Sequence, residues 1–178
     1  MALTFKAYAR NNGAFRAARP MPSGSPEGII IHSTGANNPN LRRYVNAPEV
    51  CGENPYKNYF DRGDSDVCPH AVIGLDKSGE VRAAKLLPWN ICCWGCGAGS
   101  KGSYNYSPAY IQIEIAEDGL ADREYFDRAF GLAANCASGS CGITPRYVPR
   151  TSSATTKRTC AATRAITRTA TTGSGSSG

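Results

Sequence analysis

Gly28-Ile29-Ile30-Ile31-His32-Ser33-Thr34-Gly35 is an apolar run that ends on a histidine. Three consecutive isoleucines suit a β-strand covered on both faces, and the Ser-Thr-Gly that follows is loop chemistry. The stretch predicts a strand that delivers His32 to its end, where rigid backbone passes into a loop and functional groups collect. A second stretch, Ala109-Tyr110-Ile111-Gln112-Ile113-Glu114-Ile115, alternates strictly. Its isoleucines share one face, so Gln112 and Glu114 share the other and the carboxylate is expected to point away from the main core. On its own that polar face reads equally as a solvated strand surface.

Working outward, residues 1–27 are rich in Pro, Gly and Ser toward their end and read as an extended lead-in. Asn38-Pro39 has the chemistry of a helix start, with Leu41, Tyr44 and Val45 on one face, and predicts a short helix to about Asn46. A polar loop containing Asp61, Asp64 and Asp66 leads to Pro69-His70-Ala71-Val72-Ile73-Gly74-Leu75. This run, the turn Asp76-Lys77-Ser78-Gly79 and the run Glu80 to Leu87 predict a hairpin. The long Gly- and Cys-rich loop from Pro88 to Pro108 is of the kind that serves function. Asp122 to Ala137 predicts a helix with Tyr125, Phe126, Ala129, Phe130, Ala133 and Cys136 as its core stripe, ended by Gly139 or Gly142. Strands interleaved with helices around one hairpin give an α/β fold, a single domain with a mixed central β-sheet flanked by helices.

The 178 residues suffice for one core. No apolar run reaches the roughly 18 residues of a spanning helix, so no membrane partner is expected. Met1 to Asn12 carries Lys6 and Arg10 without an apolar block after them, which is not a secretory signal. The chain is therefore expected to be made in the cytoplasm. The net charge of +6 resides in the tail: from Thr144 onward come Arg146, Arg150, Lys157, Arg158, Arg164 and Arg168 with no acid, whereas the body is balanced. That tail lacks interleaved aromatics, so nucleic acid is not expected as a partner.

Eight cysteines are many for this length, and without a signal the default is reduced thiols. Cys92-Cys93-Trp94-Gly95-Cys96 hints at thiolate-bound metal, but a structural zinc site usually needs a second pair, which is missing. A disulfide between Cys136 and Cys141 is open to the chain in an oxidising medium.

Four pieces, in order, resemble the N-acetylmuramoyl-L-alanine amidases of the amidase type 2 family, related to peptidoglycan-recognition proteins and common among phage endolysins. They are Ile31-His32-Ser33-Thr34-Gly35, Leu87-Pro88-Trp89-Asn90, Cys96-Gly97-Ala98-Gly99-Ser100-Lys101-Gly102-Ser103 and Ile113-Glu114-Ile115-Ala116-Glu117-Asp118-Gly119-Leu120. The resemblance runs from about Gly28 to Pro145 and implies an amidase-like domain over 28–145. It implies a zinc-dependent, bacteriolytic hydrolase that cuts the amide between N-acetylmuramic acid and L-alanine of peptidoglycan, acting on the cell wall as a monomer after endolysin-like release or non-classical export. His32 matches the first ligand of a zinc held by two histidines and an aspartate or cysteine, with a water in the open position. Glu114 matches the family's acid/base glutamate. His70 matches a histidine that opens the hairpin and is structural, and relatives carry a cleft-lining histidine where Gly95 stands.

The chain departs from that pattern at its end. The family's second and third ligands follow the long helix, yet no histidine follows His70 here. Residues 146–178 are a low-complexity basic tail of Thr, Ala, Ser, Arg and Gly, expected to be disordered. Either the tail is genuine, or it is the family's last segment read in another frame. In the second case Cys160 to Ile166 permits Ser, Asn, one free position, Gly and Asp, and sequencing codons 140–150 decides. With two ligands unplaced, the alternative to an amidase is a non-catalytic peptidoglycan-binding module in the same cleft.

Overall fold

A computed structural model describes residues 4–97 and 104–137. Its elements are β1 (Thr4–Lys6), α1 (Gly13–Ala17), β2 (Gly28–Ser33), a 3-10 turn (Leu41–Arg43), α2 (Pro48–Cys51), β3 (Ala71–Leu75), β4 (Val81–Lys85), β5 (Tyr110–Ile115) and α3 (Arg123–Ala137). The strands form one five-stranded mixed sheet in the order β1-β4-β3-β5-β2. Only β3 and β4 are antiparallel; β1 with β4, β3 with β5 and β5 with β2 run parallel. This is the expected α/β domain with a mixed sheet packed against helices.

Period-two alternation sorts the sheet into two faces. Ile73, Val81, Ala83, Ile111 and Ile113 pack on Tyr125, Ala129, Leu132, Ala133 and Cys136 of α3. The opposite face gathers Val72, Ala84, Leu86 and Leu87 with Leu41 of the 3-10 turn, Tyr44 and Val45 just after it, and Cys51 of α2. The hairpin forms where its turn residues place it: Asp76 Oδ1 accepts from Ser78 N (2.8 Å) and Glu80 N (3.1 Å), and Gly79 takes φ +84°, a conformation natural to glycine.

Several expectations are corrected. Within the described residues β2 is an edge strand, and its isoleucines are partly rather than fully buried. A triple isoleucine reports apolar cover above and below the strand, not how many strands flank it. The lead-in joins the domain: β1 pairs with the edge of β4, and Asn12 caps α1 through Ala14 N (2.9 Å) while its amide donates to Phe60 O and Val67 O. The helix expected from Asn38 shrinks to the 3-10 turn because Leu75 N donates to Pro39 O (2.8 Å). That bond ties residues 39–40 alongside β3, so helical geometry begins only after them. Phe126 and Phe130 leave the core stripe to Leu132; they stack on each other at 5.9 Å, and Phe130 is exposed. The Cys136–Cys141 pairing and the basic tail lie outside the described residues.

Candidate active site

The two stretches that open the sequence reading become neighbours. In the parallel ladder of β2 and β5, His32 is the direct partner of Glu114, and Ile30 that of Gln112. Partners in register project to the same side, on strands about 4.8 Å apart. His32 and Glu114 therefore share the face opposite α3, each one residue from the carboxyl end of its strand. Clefts beyond the carboxyl ends of parallel strands are where open α/β sheets bind ligands.

This face is not the solvated surface that alternation alone allows. Gln112 is fully buried and Glu114 largely so. Glu114 Oε2 is buried with no hydrogen-bond partner among the described residues. Burial, the one cause acting, raises its pKa from 4.5 to about 7. Glu114 lines a cavity of about 360 Å³ together with Thr34, Arg43, Tyr44, Phe60 and Arg62, among others; His32 is not one of the lining residues. The loop after β2 shapes this cavity through side-chain bonds: Thr34 Oγ1 lies 3.0 Å from Tyr44 Oη and accepts from Glu117 N (3.1 Å).

On the other side of His32 the groups are saturated. Its Nε2 lies 3.1 Å from Gln112 Oε1 and 3.5 Å from Cys96 Sγ. Desolvation holds its pKa below 6.5, partly offset by the Gln112 bond. Gln112 Nε2 donates to Asn105 Oδ1 (2.8 Å), which also accepts from Gly95 N and Cys96 N. Gly95 makes room for this: a Cβ there would fall 2.4 Å from Gln112 Oε1.

His70 is structural, as expected. It is fully buried, its Nε2 donates to Ile91 O (2.9 Å), and its Nδ1 accepts from Gln112 N (3.1 Å). Burial pushes its pKa down to about 4.

The fit to a catalytic zinc follows from the donors. The sequence holds two histidines, and both ring nitrogens of His70 are engaged by backbone. Among the described residues no three His, Cys, Asp or Glu side chains gather as a metal site, the Cys92–Cys96 segment included. His32 with Cys96 beside it does not make the three-ligand set that a catalytic zinc requires, so no chemical step is assigned to the metal. The sequence names His32 and Glu114 as candidates, and the structure brings them side by side. Sequence reasoning missed Asn105, Cys96 and Tyr44 as parts of the site, and only the small residue at Gly95 signalled a close approach. No family model, curated protein or solved structure matches the chain.

Proposed function

We propose that the chain is a peptidoglycan amidase of the N-acetylmuramoyl-L-alanine type, with Glu114 moving the proton in a cleft that holds the junction of sugar and stem peptide. The observation that supports this reading is the pairing of His32 with Glu114 on one sheet face, where the Glu114 side chain lines a cavity and keeps one buried oxygen that has no partner among the described residues. The raised pKa of Glu114 adds to it, since a carboxyl poised near neutrality works both as base and as acid. In the hydrolysis, water adds to the lactyl carbonyl and its proton goes to Glu114. The amide C–N bond then breaks, and Glu114 returns the proton to the leaving alanine nitrogen. The cavity suits a glycopeptide: Tyr44, Tyr59 and Phe60 line it with aromatic rings, Asn58 and Thr34 with polar partners, and Arg43 and Arg62 with charge for stem-peptide carboxylates.

A second reading, a module that grips the muropeptide without cutting it, is favoured by the sequence, in which no histidine follows His70 to complete a zinc site. One experiment separates the two. Purified chain with added zinc is incubated with cell walls and new N-terminal alanine is measured. An amidase releases it, and Glu114→Ala lowers the release by about 10²–10⁴-fold. Binding to walls without release supports the module, and failure to bind walls removes both readings.

A further inference from the structure

We infer that Gln112 and Asn105 are positioning residues: they hold neutral His32 in one tautomer, protonated at Nε2, and leave Nδ1 as the ring's free lone pair. The assignment starts from groups whose role is fixed. Backbone N–H groups only donate, so the Asn105 atom that faces both Gly95 N (3.2 Å) and Cys96 N (3.1 Å) is the carbonyl oxygen. The amide nitrogen of Asn105 accordingly donates to Cys96 O (2.7 Å). The Gln112 atom lying 2.8 Å from Asn105 Oδ1 must then be the donor Nε2, which leaves Gln112 Oε1 as an acceptor only. Oε1 faces His32 Nε2 at 3.1 Å, and an acceptor at that place requires a hydrogen on the ring nitrogen. In a neutral imidazole the lone pair then belongs to Nδ1.

Two consequences follow for the site. Cys96 Sγ, 3.5 Å from the same Nε2, meets an N–H and not a lone pair. His32 therefore does not draw the thiol's proton through Nε2, and the thiolate–imidazolium nucleophile of a cysteine hydrolase is not set up there. A cation or proton that meets His32 meets it at Nδ1, the geometry in which the other ring N–H, held by an oxygen, orients the imidazole. Gly95 belongs to the device, because any Cβ there would displace Gln112 Oε1. The inference deepens the proposed function at His32, but it rests on hydrogen bonds and is read without turnover.

With two histidines in the chain, long-range proton–nitrogen correlation of the ¹⁵N-labelled protein at pH 8 reads both rings, and His32→Asn assigns them. In the unsubstituted protein His32 is expected as a single Nε2–H tautomer. Gln112→Leu should turn it into a mixture of both tautomers, and Asn105→Ala, which frees the Gln112 amide to turn, should weaken the preference for the Nε2–H form in the same direction. Should Gln112→Leu fail to fold, Gln112→Met takes its place with the same expectation. An Nδ1–H or mixed His32 in the unsubstituted protein overturns the inference, as does a single tautomer that persists without an acceptor at position 112. Failure of wall hydrolysis leaves the tautomer result standing, so the two readings fail separately.

Discussion

Gln112 and Glu114 sit two residues apart on one face of β5, yet their surroundings are opposites. Around Gln112 each polar group has a partner: the side chain joins His32 to Asn105, and the backbone joins both to His70. Two positions on, the Glu114 carboxylate is buried with one oxygen unmatched among the described residues. Buried polar groups are normally hydrogen-bonded, and an orphan surrounded by satisfied neighbours marks a place built for something else. The difference divides a single strand: the saturated half fixes where His32 stands, and the unsatisfied half is where the proposed function puts its proton carrier.

The comparison breaks most visibly at His70. His70→Ala strands Gln112 N–H and Ile91 O in the core and opens a cavity. A loss of about 3–5 kcal/mol is expected in denaturant unfolding, and a loss under 1 kcal/mol would mean that the saturated half is not the scaffold.

Glu114→Gln should act in the opposite direction. Folding raises the pKa of Glu114 from 4.5 to about 7. Both states are protonated below pH 4.5, so the substitution is neutral there. Between pH 4.5 and 7 the unfolded chain releases the proton while the folded protein keeps it, so the wild-type chain loses stability that the glutamine variant keeps, and above pH 7 the folded protein carries the buried charge. The gap should reach about 3 kcal/mol above pH 8, measured as the difference between melts at pH 4 and pH 9.

Asn105→Ala removes the acceptor for Gly95 and Cys96 N–H and frees the Gln112 amide, a cost of about 2 kcal/mol in the same unfolding assay. Gly95→Ala should cost about 1–2 kcal/mol, because its Cβ drives into Gln112 Oε1 and must push that side chain off its bonds. At the small end, Arg62→Ala removes an exposed ion pair with Asp64 and should change stability by under about 0.5 kcal/mol. It should still weaken wall binding if the cavity takes a stem-peptide carboxylate.

The same divide separates what the sequence discloses from what it hides. Strand β5, the hairpin and α3 are legible because their periods are local: isoleucines at alternate positions, turn residues around Gly79, an apolar stripe every three or four residues. His32 and Glu114 are legible for the same reason, one ending an apolar run and the other alternating out of it. The orphaned oxygen of Glu114 is not, since alternation says which way a side chain points but not what covers it. Nor is the clamp on His32, which draws Gly95, Cys96 and Asn105 from one loop onto a strand, a set of contacts with no periodic signature. β1 escapes notice because a three-residue strand exists only through the edge of β4 that it pairs with. The short helix expected after Asn38 fails for a related reason: the tie from Leu75 to Pro39 comes from 36 residues away.

The most direct test is a carbon-detected NMR titration of the Glu114 side-chain carboxyl, assigned with Glu114→Gln. A midpoint near 7 is expected from a carboxyl buried without a partner beside His32. A midpoint near 4.5 would mean an ordinary solvated glutamate, and the division of β5 into scaffold and reactive site would be wrong.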